Sequence, residues 1–368
     1  MKILYITNKI SPAGGLERVL AIKTSALADV FSHEVHILTL NQLDEPVFHD
    51  FSANIIMHDL VLPSGAVGYG FGYMKGIQNL VSTLKPDLID VCDDGLKAFF
   101  LPLILGRKYP IVYERHVSKI IEFNTLEASL LKKAIIQVKF ALMDYLAKYF
   151  TRFVVLTNGN VEEWNLPNLM VMPNPLTFFP ESVSNLKNKK AIAVGRHAFQ
   201  KGFDLLLNAW KPVAEKHPDW HLDIYGKEDP EIGLKKLADD LKISSTVSFF
   251  EPVKEIEEKY LESSFYILSS RFEGFGMVLT EAMACGVPCV SFNCPCGPSD
   301  IIENQQDGLL VENGNLEALS QKILYMIENE DARISMGKLA RVAVLRFSKD
   351  EIVKRWDTLF RSLIKSKA

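Results

Sequence analysis

The 368-residue sequence has no strong charge excess, no long apolar run and no cysteine framework. Its formal net charge is −4, whereas nucleic-acid-binding proteins usually present a strongly basic surface. No uninterrupted apolar stretch reaches the roughly 18–20 residues of a membrane-spanning helix. The short apolar run at the N-terminus predicts a first strand rather than a signal peptide. We therefore expect a cytoplasmic protein, or one attached to the inner surface of a membrane, without nucleic acid as a partner.

The five cysteines do not follow a metal-binding pattern. Four of them lie close together, at Cys285, Cys289, Cys294 and Cys296. Zinc sites usually present thiolates as closely spaced pairs that are well separated along the chain. Because Cys285 and Cys289 flank a Gly-Val-Pro turn, we interpret the group as buried, reduced thiols and expect no metal.

The length fits two domains, and both halves alternate β-rich runs with helical patterns. This alternation is typical of α/β domains with a parallel sheet covered by helices. The prolines at 173 and 175 cannot continue a helix or a central strand, so they mark a break. We predict a Rossmann-like domain over residues 1–172, a second over 173–346, and a C-terminal helix within 347–368 that packs back on the first domain.

The predicted strands are Lys2–Thr7, His33–Thr39, Leu88–Cys92, Ile111–Glu114, Phe153–Thr157, Ala191–Gly195, His221–Tyr225, Val247–Phe250, Phe265–Leu268 and Pro288–Phe292. The predicted helices are Leu16–Val30, Tyr73–Leu84, Thr125–Phe150, Phe203–Lys216, Gly233–Leu241, Glu255–Glu262, Val278–Ala284, Leu316–Asn329 and Lys349–Ile364.

A glycine-rich turn between a predicted strand and a predicted helix is the strongest functional signal. Gly274 and Gly276 allow backbone conformations closed to other residues and let a ligand approach the main chain. The helix that follows, from Met277 and Val278 onward, directs its free N–H groups at the turn, which favours a bound phosphate.

Two acids, Glu273 and Glu281, border the same predicted crevice at the carboxyl end of the strand. A carboxylate beside a diphosphate needs a purpose, and accepting charge-assisted hydrogen bonds from sugar hydroxyls supplies one. Glu281 is placed for a ribose diol and Glu273 for the transferred sugar. The alternative is that the glycines only shape a turn and that Glu281 faces solvent.

The segment from Glu273 to Glu281, which includes Phe275, resembles the E-x7-E motif of family-4 retaining glycosyltransferases (glycosyl transferases group 1) of GT-B fold. The run Val194–Asp204 resembles that family's V-G-R-x-x-x-x-K-G-x-D segment. The resemblance implies two Rossmann-like domains facing across a cleft, with the donor held mainly by the second. It also implies that Arg196 and Lys201 neutralise the donor diphosphate, a role that suits the charge developing on the departing phosphate.

Further segments resemble the same family. Pro12–Arg18 is similar to its G-G-x-E-R loop, which implies that Gly15 contacts phosphate or acceptor. Glu114 to His116 resembles the E-H step of related enzymes, which implies that His116 contacts the sugar or orients the acceptor; the alternative is a half-buried histidine that caps the next segment. Val253 is a candidate main-chain contact to the base.

Asn293–Pro298 resembles the D-C-P-T-G-P segment of members that build bacterial surface polysaccharides and lipid-linked oligosaccharides, with Asn for Asp and Cys for Thr. That subset commonly uses UDP-hexoses or UDP-N-acetylhexosamines, so the resemblance favours a UDP-sugar donor and a glycan or lipid-linked saccharide acceptor. Front-side transfer with retention needs no protein nucleophile, no metal and no cofactor. Asp93-Asp94 is only superficially like the D-x-D pair of metal-dependent transferases, and we interpret it as a loop.

Two other classes of function stay open from the sequence. A nucleotide-sugar epimerase with the same architecture would act on the donor without any acceptor. A non-catalytic nucleotide-sugar sensor would bind the donor without turnover. The lack of a G-x-G-x-x-G fingerprint disfavours a dehydrogenase.

The predicted helix Thr125–Phe150 combines apolar positions with Lys132, Lys133, Lys139 and Lys148. A basic amphipathic helix of this kind binds anionic membrane surfaces. A core helix with a solvated lysine face is the alternative.

Overall fold

The computed structural model describes residues 1–12, 14–119 and 130–365, and for residues 130–132 it describes the backbone alone. The chain forms two compact units. The first comprises residues 1–156 and 160–177 together with the C-terminal helix that begins at Lys349. The second comprises residues 157–159 and 178–348.

Each unit is built on one parallel sheet. The strands of the first unit are β1 (Lys2–Thr7), β2 (Glu34–Leu40), β3 (Ile56–Leu60), β4 (Leu88–Cys92), β5 (Ile111–Arg115), β6 (Arg152–Val155) and β7 (Leu169–Val171). Those of the second are β8 (Lys190–Val194), β9 (His221–Tyr225), β10 (Val247–Phe250), β11 (Phe265–Leu268), β12 (Cys289–Asn293) and β13 (Gly308–Glu312).

The α-helices are, in chain order, α1 (Gly15–Asp29), α2 (Ala66–Leu84), α3 (Leu101–Leu105), α4 (Leu130–Ala147), α5 (Asn158–Val161), α6 (Phe203–Lys216), α7 (Leu234–Asp240), α8 (Ile256–Leu261), α9 (Met277–Ala284), α10 (Pro298–Ile301), α11 (Leu316–Glu328), α12 (Glu330–Ala343) and α13 (Lys349–Lys365). Short 3₁₀ helices cover Leu96–Phe100, Gly106–Lys108, Phe199–Lys201, Pro230–Ile232 and Val344–Phe347. The start of the predicted helix Thr125–Phe150, residues 125–129, lies outside the described residues.

Both sheets are covered by helices because their central strands are buried on both faces and mostly apolar. Every residue of β4, β5 and β11 is buried, as is usual for the interior strands of parallel sheets. In the first unit, one face packs against α2 and α4 through Ile77 and Phe140. The opposite face packs against α1 and α13 through Leu20 and Phe360. The core of the second unit includes the buried Trp210 of α6.

Strand order places a crevice in the same position in each unit. The sheets run β3-β2-β1-β4-β5-β6-β7 and β10-β9-β8-β11-β12-β13. The order reverses between β1 and β4 in the first sheet and between β8 and β11 in the second. In open parallel sheets, ligands bind outside the carboxyl ends of the strands at such switch points. The loops after β1, β4, β8 and β11 are therefore the positions where a binding site is expected.

The C-terminal helix α13 belongs to the first unit. Its buried residues Ile352, Trp356 and Phe360 join the core beside α1. Nε2 of His33 lies 2.6 Å from Oδ1 of Asp357 on this helix.

The two sheets covered by helices confirm the predicted α/β fold. Across the described ranges, no helix has both the length and the apolar character needed to cross a bilayer.

Candidate functional site

The two strongest sequence motifs lie on neighbouring strands at the switch point of the second unit. β8 ends at Val194 and leads into Gly195 and Arg196, and β11 ends at Leu268 and leads into the glycine-rich turn. The two strands pair in parallel, with Tyr266 opposite Ile192. Their carboxyl ends, and the loops that follow them, therefore open on the same side of the sheet.

A charged contact joins the two motifs directly. Nζ of Lys201 donates to Oε1 of Glu273 at 2.7 Å, although the residues are 72 positions apart. The Lys201 side chain is 16 % exposed and that of Glu273 only 7 %. Oγ of Ser270 donates to the same carboxylate oxygen at 2.6 Å. Glu273 is thus fixed by two donors at the mouth of β11.

The turn before α9 depends on two glycines with positive φ. Gly276 has φ +96° and caps α9, and Gly297 has φ +124°. A Cβ on Gly297 would lie 2.0 Å from the carbonyl oxygen of Phe275, so only glycine lets the two segments approach this closely. Of Gly274 and Gly276, only Gly276 has a positive φ. The first N–H groups of α9, at Met277 and Val278, have no acceptor within the helix.

Glu281 points into the protein rather than into solvent. It is the fifth residue of α9, is 5 % exposed, and lies 3.3 Å from the hydroxyl of Tyr260, which donates to its Oε2. Burial, followed by the charge of Glu281, raises the pKa of Tyr260 well above its usual value, so this hydroxyl stays a donor. The alternative of a solvent-facing Glu281 is wrong.

Arg196 and Arg271 differ in their surroundings. Arg196 follows Gly195 and is exposed, and within the described part of the chain it has no hydrogen-bond or ion-pair partner. Arg271 is bidentate to Asp204, with N–O distances of 2.9 and 2.7 Å, and so braces the turn against α6. Val253 lies in the loop after β10 and is 39 % exposed. Arg196 is therefore a cation available to a ligand.

The candidate residues of the first unit also lie at carboxyl ends of strands. Gly15 begins α1 after β1 and is exposed. His116 follows β5, and its side chain is 8 % exposed. Its backbone N–H donates to Oδ1 of Asp94, which follows β4, at 3.3 Å. Burial raises the pKa of Glu17 on α1. The charge of His116 lowers the pKa of this carboxyl, and that of Asp94 raises it.

One group of metal-ligating side chains is close-set among the described residues, namely Cys92, Glu114 and His116, with their ligand atoms within 4.8 Å of one another. The ammonium of Lys23 contacts Oε1 of Glu114 and Cys92 donates to the same oxygen at 3.1 Å. A cation of the protein's own already occupies this position, so the group does not fit a metal ion.

The other groups that resemble metal sites also have structural partners. Asp93 accepts from Asn8 at 2.9 Å and lies 3.1 Å from Nζ of Lys97, and it belongs to a loop as expected. All five cysteines are buried and outside any disulfide, in agreement with the interpretation as reduced thiols. Independence from metal remains a prediction.

Two residues of the site escaped the sequence analysis. Ser270 stands three residues before Glu273, and a hydroxyl at this distance from an acid in a turn is a signal that was available. Tyr260 lies on α8 and reaches Glu281 only through the packing of α8 on α9, so no sequence spacing points to it.

The fold and the paired motifs define a glycosyltransferase of GT-B fold. Residues 176–343 match the family described as glycosyl transferases group 1. An uncharacterized glycosyltransferase of Haemophilus influenzae is 30 % identical over 362 residues, which cover 96 % of this chain and 98 % of that protein. The chain belongs to the group 1 glycosyltransferases.

Two further proteins extend the comparison. The amylovoran biosynthesis glycosyltransferase AmsD of Erwinia amylovora is 26 % identical over 97 % of this chain and 99 % of its own length. The crystal structure of Anabaena HepE in complex with UDP-glucose superposes with a TM-score of 0.75 at 18 % identity, covering 98 % of this chain and 100 % of that one. The likeness to HepE concerns the fold.

Proposed function

We propose that this protein transfers a hexose or N-acetylhexosamine from a UDP-sugar to a glycan or lipid-linked saccharide, with retention, in the synthesis of a bacterial polysaccharide. The observation that carries the proposal is the contact between Lys201 and Glu273. It brings the basic motif and the acidic motif together at the switch point of the second sheet. A merely structural turn would not need a buried acid and a lysine at the open edge of the sheet.

The diphosphate of the donor would lie against the start of α9. The N–H groups of Gly276, Met277 and Val278 have no acceptor within the helix and lie at the positive end of its dipole. Arg196 and Lys201 add two positive charges beside this position. As the sugar leaves, negative charge grows on the β-phosphate, and the two cations stabilise it more in the transition state than in the ground state.

The two acids would hold hydroxyl groups on either side of the diphosphate. Lys201 and Ser270 both donate to Oε1 of Glu273, so we assign Oε2 to the hydroxyls of the transferred sugar. Glu281, braced by Tyr260, would accept from the ribose diol. Charge-assisted hydrogen bonds of this kind are stronger than neutral ones and fix orientation as well.

The chemical step needs no protein nucleophile. The acceptor hydroxyl oxygen bonds to the anomeric carbon on the face that the nucleotide leaves, and the bond from that carbon to the phosphate oxygen breaks. The hydroxyl proton passes to the departing β-phosphate. Positioning and charge then supply the catalysis, without metal or cofactor.

The choice of donor and pathway draws support from the relatives. HepE binds UDP-glucose by its description, and AmsD is described as acting in amylovoran biosynthesis. The Asn293–Pro298 segment, which resembles that of polysaccharide-building members, runs beside the glycine turn through the contact of Gly297 with Phe275. These features favour UDP over GDP.

A turnover assay tests the proposal. UDP- and GDP-linked hexoses and N-acetylhexosamines are incubated with the protein and a saccharide acceptor, and released nucleotide is measured. We expect UDP release from one donor class, and a loss of about 10²–10³-fold in kcat/KM for Lys201→Met and for Glu273→Gln. Lys189→Met, an exposed lysine of the same unit paired with Asp219, is the matched control and should retain full activity.

Three outcomes would contradict the proposal. Conversion of the nucleotide sugar to an epimer without acceptor would identify an epimerase. Binding without turnover would identify a sensor. Equal loss of activity in Lys189→Met would show that the effect is not specific to the site.

We also propose that helix α4 brings the first unit to an anionic membrane surface. Its outward stripe consists of Ile135, Val138, Leu142 and Tyr145, which are 60, 70, 37 and 58 % exposed. The spacing of three and four residues places them along one side of the helix. Lysines at 133, 139 and 148 add positive charge to the same segment, which complements anionic headgroups.

Flotation with vesicles tests this contact. We expect the protein to float with vesicles of one-third phosphatidylglycerol in phosphatidylcholine at low salt, and not with pure phosphatidylcholine. Val138→Glu should abolish flotation, whereas Val342→Glu, equally exposed at 67 % on α12, should not. A dimer that Val138→Glu dissociates, with no flotation, would assign the stripe to a second copy instead.

A further inference from the structure

A buried ionic cluster lies behind His116, within the first unit. Lys23 of α1, Asp90 of β4 and Glu114 of β5 are at most 2 % exposed in their side chains. Nζ of Lys23 contacts Oε1 of Glu114 directly and lies 3.5 Å from Oδ2 of Asp90. Taking such charges out of water is costly unless they are paired, so the arrangement calls for an explanation.

Aromatic rings close the cluster on its other sides. Nζ of Lys23 lies 4.9 Å from the ring centroid of Tyr5 and 4.1 Å from that of Trp356. Both distances are within the range of cation–π attraction. Trp356 belongs to α13, which packs on the same face of the sheet as α1, so the C-terminal helix also contacts the lysine.

The two acids of the cluster differ in charge. Burial raises the pKa of Glu114, but Lys23 and His116 outweigh burial and bring it below its usual value. Burial and then Glu114 raise the pKa of Asp90 well above its usual value. The two shifts therefore favour the negative charge on Glu114 and the proton on Asp90.

The two oxygens of Glu114 face different partners. Oε1 accepts hydrogen bonds from the ammonium of Lys23 and from the thiol of Cys92, whose Sγ lies 3.1 Å away. Oε2 lies 3.3 Å from Nε2 of His116. The described ranges contain no hydrogen bond to this buried Nε2, so Oε2 faces it as a charged neighbour at ion-pair distance. A carboxylate accepts hydrogen bonds and cannot donate them, so it selects the imidazole tautomer that carries its proton on Nε2.

We propose that Glu114, paired with Lys23, is a positioning residue that keeps His116 in the Nε2–H tautomer, so that Nδ1 accepts a hydrogen bond from a hydroxyl group of a sugar substrate. The inference rests on the proposed function for its substrate. It gives the cluster a purpose beyond packing, because the orientation and tautomer of His116 are set from α1, β5 and α13 together.

Glu114→Gln provides a sharp test because it inverts the hydrogen-bonding pattern. The ammonium of Lys23 only donates, so the carbonyl oxygen of glutamine would turn toward it. The amide NH₂ would then face His116 and require a lone pair on Nε2. The proton of the ring would move to Nδ1, which would become a donor in place of an acceptor.

Asp90→Asn is the matched control. Asp90 is a neighbour of the same lysine and is equally buried, and asparagine keeps its shape and the uncharged form that its raised pKa favours. A cluster that serves stability alone would respond to both substitutions in a similar manner. A cluster that orients His116 would respond to Glu114→Gln alone.

The tautomer is measured by ¹⁵N NMR on the full chain labelled at its eight histidines, with His116→Asn to assign the signal. We expect a protonated Nε2 in the wild type and in Asp90→Asn, and a protonated Nδ1 in Glu114→Gln. The turnover number kcat should fall about 10- to 100-fold in Glu114→Gln, as when the hydrogen-bond partner of an active-site histidine is removed, and by less than about twofold in Asp90→Asn.

A protonated Nδ1 in the wild type would overturn the proposal, even if Glu114→Gln fails to fold. An unchanged tautomer in a folded Glu114→Gln protein that has lost activity would overturn it as well. The NMR result does not depend on turnover. If the wild type shows the expected tautomer but releases no UDP from any donor, the proposed function fails while the effect of Glu114 on His116 stands.

Discussion

Ser270 and Lys201 donate to the same oxygen of Glu273, and this shared acceptor is the central detail of the site at the scale of single residues. Two donors on one oxygen hold Oε1 in place and leave the other oxygen for a ligand. The position of Glu273 thus depends on neighbours on both sides of the switch point. A hydroxyl that never touches the substrate would influence the reaction in this way.

Ser270→Ala should lower kcat/KM by about 10-fold, since the loss of one hydrogen bond to a charged group costs about 1.5–3 kcal/mol and only part of this falls on the transition state. Ser269→Ala is the control, because Oγ of Ser269 donates to the backbone oxygen of Lys201 at 2.9 Å. Steady-state kinetics with the preferred donor provide the measurement. Equal losses in the two variants would show that the turn as a whole, rather than Glu273, is disturbed.

The sequence predicted the residues whose chemistry is visible in a motif, and it missed those that depend on packing. Glu273, Glu281 and Lys201 stand in recognisable spacings, and the structure brings Lys201 to Glu273. Their roles toward a ligand remain predictions. The partnership of Lys23 with Glu114 could not be predicted, because the two residues are 91 positions apart and their neighbourhood is created by sheet order.

At the scale of elements, the central strands were predictable because they are apolar runs bounded by turns. His221–Tyr225, Val247–Phe250 and Phe265–Leu268 have the predicted bounds. The outer strands β3, β7 and β13 were missed. The residues of β3 and β7 are exposed or half-buried, so these strands lack the continuous apolar run that identifies an interior strand.

Predicted helix boundaries were wrong where local helix propensity and tertiary packing disagree. The predicted helix Tyr73–Leu84 begins seven residues earlier, at Ala66, and its first part contains Gly68, Gly70 and Gly72. Each glycine disfavours the helix by about 1 kcal/mol, so the sequence did not predict helix over this first part. Packing of Gly72 on Pro63, whose Cδ lies 3.0 Å from the Cβ position of Gly72, accounts for glycine there.

The turn before α9 offers a test at the scale of elements. Gly297→Ala should destabilise the second unit by more than about 3 kcal/mol, because a strained φ is combined with a backbone clash against Phe275. Gly314→Ala has a similar positive φ, +81°, but meets nothing within 4 Å, and it should cost about 1 kcal/mol. Denaturant unfolding compares the two variants. Similar stability losses would mean that the close approach of Gly297 to Phe275 does not support the turn.

At the scale of the whole molecule, the C-terminal helix ties the end of the chain to the first unit through a titratable contact. Burial lowers the pKa of His33 more than its hydrogen bond to Asp357 raises it. The folded state therefore prefers the neutral ring, and the unfolded chain takes up the proton first as pH falls. The resulting stability is present above about pH 6.5, the usual histidine pKa, and decreases as pH falls below that value.

His33→Gln keeps a side-chain donor for Asp357 but removes the titration. The melting temperature of the wild type should therefore fall more steeply than that of the variant between pH 7.5 and 5. Burial raises the pKa of Asp357, but hydrogen bonds with Arg361 and His33 lower it by more, so the pKa lies below its usual value. The contribution of Asp357 to folding stability is therefore lost only at more acidic pH. Parallel melting curves for the two proteins across this window would exclude His33 as the source of the pH dependence.

The whole account depends on where the donor binds, and a crystal structure with a bound UDP-sugar measures this most directly. We predict the diphosphate on the amides of Gly276, Met277 and Val278, with Arg196 and Lys201 in contact, Glu273 on the sugar and Glu281 on the ribose. A nucleotide bound elsewhere, with those amides and both acids not in contact with it, would contradict the assignment of the donor site.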